Sequence, residues 1–274
     1  MRINGKKLLI GLLSVALVGG VFALAGKGEI TIKGSTTVLP IAQSCAEAFM
    51  NQHSEVNISV QGGGSGVGIA SVIDGTADIG DASRTAKEKE IETAKQNGVD
   101  LYENVVAMDG IAVIVHPGNP VSELSLEQIK AIYTGKISNW KDVGGKKGKI
   151  VVISRDSSSG TFETFNELAL DKEKVRPDAL MNASNNAVAQ IVAKTPAAIG
   201  YVGIGYLSSS VKGITVNSVD PTNENVLNGS YPLARKLFMY TNGKPQGVIA
   251  NFINFILSKD GQKLVDKAGF VPLQ

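Results

Sequence analysis

Glu29-Ile30-Thr31-Ile32-Lys33-Gly34-Ser35-Thr36-Thr37-Val38-Leu39-Pro40 is the stretch from which the fold is read. Residues 29–33 alternate apolar and polar side chains, which predicts a strand. From Val38 onward, Ile41, Ala42, Cys45, Phe49 and Met50 return every three or four residues and mark one face of a helix. Pro40 suits the first turn of that helix, and Cys45 on its apolar face is expected to be a core thiol. Between strand and helix lies Gly34-Ser35-Thr36-Thr37. A helix N-terminus carries unsatisfied N–H groups and a partial positive charge. A turn of Gly, Ser and Thr at that point brings backbone and hydroxyl donors together where an anion can be held.

The same arrangement recurs twice. Gly62-Gly63-Gly64-Ser65-Gly66 follows a strand predicted at Val56–Val60 and leads into a helix at Val67–Asp74. Ser157-Ser158-Ser159-Gly160-Thr161 follows a strand at Ile150–Ser154 and opens a helix at Phe162. Any one such loop is explained by N-capping, where Ser and Thr lead; three in one chain favour a shared ligand. Arg155 stands four residues before Ser159 and offers a planar, two-toothed contact to an oxyanion; its alternative is an ion pair with Asp156 or Glu163. Arg84 ends the strand Asp78-Ile79-Gly80-Asp81-Ala82-Ser83 and is a second cationic candidate, or else a solvated turn residue.

Further strands are expected at Ala77–Gly80, Val105–Ala107, Ile111–His116, Ala198–Val202 and Lys236–Tyr240. Helices are expected at Thr85–Asn97, Ser125–Thr134, Thr161–Leu170, Ala187–Ala193 and Gln246–Gly269. The alternation predicts an α/β fold with helices over mostly parallel sheets, whose ligand crevice lies at the carboxyl ends of the strands. Pro117–Pro120 and Asp220–Pro232 read as loops. Asn139-Trp140 reads as a structural turn, and Asn182, Asn185 and Asn186 either cap the following helix, the favoured reading, or reach the cleft.

Composition narrows the function. The 274 residues hold 27 Lys+Arg against 25 Asp+Glu, too small an excess for a phosphate-backbone binder. One Cys and two isolated His, at 53 and 116, leave no metal-ligand spacing and no internal disulfide. The 31 Gly exceed the usual ~7% and imply tight turns and close backbone approach. Arg2, Lys6 and Lys7 precede an uncharged apolar run from Leu8 to Ala25 that ends in Ala23-Leu24-Ala25. This reads as an export signal, either cleaved before Gly26 or kept as a membrane anchor. Without its three cations the chain has one fewer basic than acidic residue. No G-x-x-x-x-G-K-[ST] is present, and Val67 stands where G-x-G-x-x-G and G-x-S-x-G each need Gly. His116 reads as a strand-end residue and His53 as a solvated helix-end residue. A binding protein fits these features better than an enzyme.

Several motifs then resemble the phosphate-binding proteins of Pst-type ABC transporters. They are Gly34–Pro40, Ala77–Arg84, Ile132-Tyr133-Thr134-Gly135-Lys136-Ile137-Ser138-Asn139-Trp140, Arg155–Thr161 and Ala197–Gly203. The resemblance runs from about residue 30 to the C-terminus. It implies a type II periplasmic-binding-protein fold, two α/β lobes joined by two crossover strands with the ligand in the cleft. Lobe I would comprise 26–109 and 236–274, lobe II 110–235, and 1–25 the signal or anchor. The implied ligand is inorganic phosphate. The implied partner is the membrane permease of a phosphate ABC transporter, with no cofactor, no nucleic acid and a monomeric, extracytoplasmic protein. By motif, Ser35, Thr36, Thr37 and Ser65 look like the first-lobe site, and Arg155, Ser159, Gly160 and Thr161 like the second-lobe site. Ser83 and Arg84 belong to the third segment, where some family members place a proton-accepting Asp at the position of Ser83; here Asp81, two residues earlier, is the candidate acceptor if the loop bends that way, or else an exposed turn residue. Binding of another oxyanion, sulfate or molybdate, is the alternative, and a hydrolase using Ser159 or Ser65 the more distant one.

Overall fold

In a computed structural model, residues 28–273 are described; the segment read as signal or anchor lies outside them. The first half of the chain forms β1 (Gly28–Gly34), α1 (Leu39–Gln52), β2 (Val56–Gly62), α2 (Ser65–Ile73), β3 (Ile79–Ala82) and α3 (Glu88–Gln96). There follow β4 (Leu101–Val115), β5 (Glu123–Leu124), α4 (Leu126–Tyr133), β6 (Val151–Arg155), α5 (Gly160–Leu170) and β7 (Leu180–Asn182). Next come α6 (Asn185–Lys194), β8 (Ala198–Gly203), β9 (Lys212–Gly213), β10 (Thr215–Val216) and α7 (Asn223–Leu227). The chain closes with β11 (Ala234–Asn242), α8 (Gly247–Leu257) and α9 (Lys259–Lys267).

The main sheet runs in the order β2-β1-β3-β11-β4-β8-β6-β7, with β9 added against β4. Its two wings are parallel: β2, β1 and β3 on one side, β8, β6 and β7 on the other. The middle is antiparallel, because β11 returns against both β3 and β4, and β4 against β8. The mostly parallel arrangement expected from the alternation thus holds for the wings and fails at the centre.

Strand β4 joins two runs expected as separate strands. Its lower part pairs with β11 as far as Gly110, and Ile111–Val115 pair with β8. Asp109 looks like a break in the apolar pattern, but Arg235 and the Ile204 amide hold its carboxylate and let the strand continue. A second difference is the single helix expected over 246–269. Ser258 divides it, ending α8 and capping α9 by accepting the Gly261 amide at 3.3 Å.

Apolar side chains gather into two main cores. One holds Ile30, Ile32, Phe49, Leu237, Met239, Phe252 and Phe270. The other holds Ile111–Val115, Tyr133, Phe165, Tyr201 and Leu233. Each fully buried side chain of this size stabilises by roughly 1.5–3 kcal/mol. β4 feeds both: Val106 and Ala107 enter the first, Ile111 onward the second. Cys45 lies in the first core as expected, its thiol pushed up to about 12 by burial. Trp140 is buried with its indole N–H donating to the Ala197 carbonyl at 2.9 Å, so the Asn139-Trp140 segment is a structural turn. Between the cores, the carboxyl ends of β1, β2 and β3 face that of β6.

Candidate anion site

The first side is built at the ends of β1 and β2. The Ser35 amide donates to the Asp81 carbonyl at 2.8 Å, tying the loop to β3. Ser35 Oγ accepts the Thr37 amide at 3.1 Å and so fixes the turn. Gly64 enters α2 at φ +97°, a backbone state that L side chains rarely adopt, and a Cβ there would meet Ser158 of the opposite side. Ser65 Oγ accepts the Ser83 amide at 3.0 Å and lies 3.3 Å from Ser83 Oγ. Gly160 packs against both hydroxyls, and any side chain at that position would displace them.

The second side is built at the end of β6. Phe165 stacks on Tyr201 with ring centroids 3.9 Å apart. The Tyr201 hydroxyl then meets Ser154 Oγ at 2.9 Å and accepts the Arg155 amide at 3.2 Å. This seats Arg155, which is 1% exposed. Its Nε donates to the Asn182 carbonyl at 3.0 Å, and Nη2 to the Ala183 carbonyl at 2.9 Å and Thr36 Oγ1 at 3.3 Å. Nη1 is buried without a partner. The two-toothed contact expected of Arg155 is therefore reduced to one free nitrogen. Ser159 Oγ accepts the Phe162 amide at 3.1 Å and caps α5, leaving Gly160 and Thr161 amides in a first turn that lacks intrahelical acceptors.

The two sides meet. Thr37 Oγ1 and Thr161 Oγ1 are 2.9 Å apart. The Gly66 amide donates to the Ser158 carbonyl at 3.0 Å, Ser158 Oγ to the Gly63 carbonyl at 3.0 Å, and Thr164 Oγ1 to the Ser83 carbonyl at 3.3 Å. Ser35, Thr36, Thr37, Ser65, Ser83, Arg155, Ser159, Gly160 and Thr161 all lie in this buried junction.

Two expected contributors do not turn into it. Arg84 is spent on carboxylates: Glu90 accepts from Nη1 at 2.7 Å and Nη2 at 2.8 Å, and Glu163 sits 2.5 Å from Nε. Asp81 shares the face of Ile79 on β3, opposite Met239 of β11 and within the apolar core. Both of its carboxyl oxygens are buried without partners, and burial pushes its pKa well above the usual carboxylate range with no cation opposing. A carboxyl in contact with the Arg155 cluster would feel that cation. The Ser35 loop meets Asp81 through its backbone carbonyl instead.

Three further residues take part, of which Arg235 and Asp109 were not anticipated and Asn185 was placed by preference elsewhere. Asn185 was expected to cap α6, but Ser184 does so by accepting the Ala187 amide at 3.1 Å. Asn185, fully buried, reaches Thr36 and Thr37 Oγ1 at 3.1 and 3.0 Å. The preceding serine, as good a cap as asparagine and able to free it, was the available signal. Arg235 opens β11, donating to Asp109 Oδ2 at 2.6 and 2.8 Å and to Thr37 and Thr161 Oγ1 at 3.3 and 3.1 Å. Nothing local marks Arg235 or Asp109, which are brought together from 126 residues apart.

Two α/β halves joined through β4 and β11, with strand ends converging between them, define a type II periplasmic-binding-protein fold. Residues 23–260 match the sequence model of the PBP superfamily domain. The phosphate-binding protein PstS of Bacillus subtilis (strain 168) is 38% identical over 248 residues, which cover 90% of this chain and 81% of that protein. Among solved structures, a candidate phosphate ABC-transporter substrate-binding protein from Clostridium perfringens, with bound phosphate, is 38% identical at a TM-score of 0.84. The match covers 90% of this chain and 100% of that one. An ABC-type phosphate transport receptor from Vibrio cholerae is 36% identical at a TM-score of 0.73, covering 88% and 99%. The chain belongs to the phosphate-binding protein (PstS) family.

Proposed function

We propose that this protein captures inorganic phosphate between its two halves, outside the cytoplasmic membrane, and delivers it to the permease of a phosphate ABC transporter. The observation that carries the reading is the buried Arg155 Nη1, without an acceptor, at a junction lined also by hydroxyls, helix N-termini, Asn185 and the Asp109–Arg235 pair. Such donors suit a small oxyanion, and burial strengthens each of them. The proposed ligand groups are Ser35, Thr36, Thr37, Ser65 and Ser83 on one side and Arg155, Ser159, Gly160 and Thr161 on the other. The proposed lobes are 26–109 with 236–274, and 110–235; the separate cores on either side of Met108–Gly110 support that division. Closure of one on the other would follow from each contributing half of the site.

Binding without turnover is the reading that the serines favour. Ser159 Oγ caps α5 and Ser65 Oγ pairs with Ser83, so neither faces a general base. Residues 1–25 are proposed to export the chain, cleaved or retained as an anchor. Among the described residues no helix is long and apolar enough to cross a membrane. Calorimetry on the full chain in mild detergent tests the function. Stoichiometric heat with phosphate, and far less with sulfate or molybdate, is expected. No heat at micromolar protein would sink the proposal, and a preference for sulfate or molybdate would replace the ligand.

A further inference from the structure

Asn185 is a buried amide with every hydrogen-bonding group assigned. Its Oδ1 accepts the Gly203 amide at 3.2 Å. A backbone N–H can only donate, so the orientation of the side-chain amide is fixed and Nδ2 must face the threonines. Nδ2 has two protons, and two acceptors lie within reach: Thr36 Oγ1 at 3.1 Å and Thr37 Oγ1 at 3.0 Å.

A threonine hydroxyl has two acceptor lone pairs and one proton. Thr36 Oγ1 is approached by Asn185 Nδ2, by Arg155 Nη2 at 3.3 Å and by the Asn185 amide at 3.4 Å. None of these groups can accept, so the lone pairs are used and only the proton remains to be given. Thr37 Oγ1 accepts the second Asn185 Nδ2 proton at 3.0 Å and lies 2.9 Å from Thr161 Oγ1 across the cleft. Arg235 Nη2 has two protons; Asp109 Oδ2 takes one at 2.6 Å, and Thr37 and Thr161 Oγ1, at 3.3 and 3.1 Å, share the other.

We propose that Asn185 is a positioning residue that sets the polarity of the site, saturating Thr36 so that its hydroxyl presents a proton, never a lone pair, to the bound anion. The inference rests on the phosphate reading and deepens it. A bare anion oxygen is matched there, whereas a ligand group that must donate finds no acceptor at this hydroxyl. The charged and titratable groups around Asn185 are Arg155 on β6, the Asp109–Arg235 pair on β4 and β11, and the phenol of Tyr206, which donates to the Thr36 carbonyl.

Asn185→Asp reverses that direction at Thr36. An ionised aspartate accepts the Thr36 proton that the wild type offers to the anion. The measurement is the phosphate Kd of full-length wild type and variant by calorimetry, between pH 5.5 and 8.5. The ratio of the two cancels the titration of phosphate itself. The variant is expected to bind at least about 30-fold more weakly at pH 8.5, the gap closing about fivefold or more at pH 5.5 as the aspartic acid recovers a proton to donate. A merely structural role would give a flat ratio; a flat ratio, or one under threefold at pH 8.5, overturns the proposal. Should Asn185→Asp fail to fold, Asn185→Ala decides: about tenfold weaker binding with an unchanged melting temperature is expected, and a Kd within twofold of wild type overturns it. Absence of phosphate heat in the wild type would remove the functional reading itself, and this inference with it.

Discussion

Arg155 and Arg84 each follow a buried strand beside a serine, and the two strand ends face each other across the same junction. Their partners differ in kind. Arg155 is held by the carbonyls of Asn182 and Ala183 and by Thr36 Oγ1, all neutral acceptors, and keeps one nitrogen unbonded. Arg84 is gripped by Glu90 and Glu163, so its charge is answered before any ligand arrives. Arg155, with neutral supports, keeps its charge for a ligand, whereas Arg84, answered by two carboxylates, acts as a strut. Glu163 stands on α5 and Arg84 and Lys87 just after β3, so this strut spans the cleft rim.

The contrast is tested most severely at Arg155. Arg155→Ala is expected to weaken phosphate binding by about 1.5–3 kcal/mol, the range for a charge-assisted hydrogen bond. Calorimetry that finds a change of only a few tenths would remove Arg155 from the site and level the two strand ends.

Asp81, three residues before Arg84, gives the next effect, and on stability rather than affinity. Burial raises its pKa well above the ordinary value. The folded state then retains a proton that the unfolded chain releases above about pH 4. Native stability therefore falls as pH rises from that point towards the folded pKa. Asp81→Asn removes the titration. Urea unfolding is expected to show a gain of about 1–3 kcal/mol at pH 7, shrinking towards zero near pH 4, with phosphate affinity within twofold of wild type. An equal difference at both pH values would show that Asp81 does not titrate. A large loss of affinity would place its carboxyl against the ligand after all.

The smallest effect concerns the rim. Glu163→Gln leaves Arg84 with Glu90 but cuts its tie across the cleft. The pair is only 7% and 17% exposed, so phosphate should dissociate roughly two- to fivefold faster in stopped flow, by about 0.4–1 kcal/mol. Salt should reduce the difference only in part, because a largely buried pair is poorly screened. An unchanged off-rate would show that the tie does not hold the cleft shut.

Much of this was legible in local patterns. Strands and helices were marked by periods of two and near four, and the three Gly/Ser/Thr loops stood where one period gave way to the other. Ser35–Thr37, Ser65 and Ser159–Thr161 could be found because a strand-to-helix turn declares itself over five residues. Arg84 and Asp81 misled for the converse reason. A charged residue at a strand end has the same local signature whether it faces a cleft, a glutamate on the next helix or the apolar core. Asn185 was obscured by company, since in Ser184-Asn185-Asn186 any of three residues is a competent cap.

What the sequence by itself determined is the alternation of strand and helix and the Gly/Ser/Thr turns that stand where one gives way to the other, all properties of neighbouring residues. Only the tertiary structure decided which arginine keeps its charge free, that Asp109 and Arg235 neutralise each other, and that Asn185 ties Thr36 to Thr37. The physical reason is that hydrogen-bond direction and charge compensation are settled between partners. Here those partners stand 126, 148 and 149 residues apart, joined only when β4 and β11 bring the two halves together.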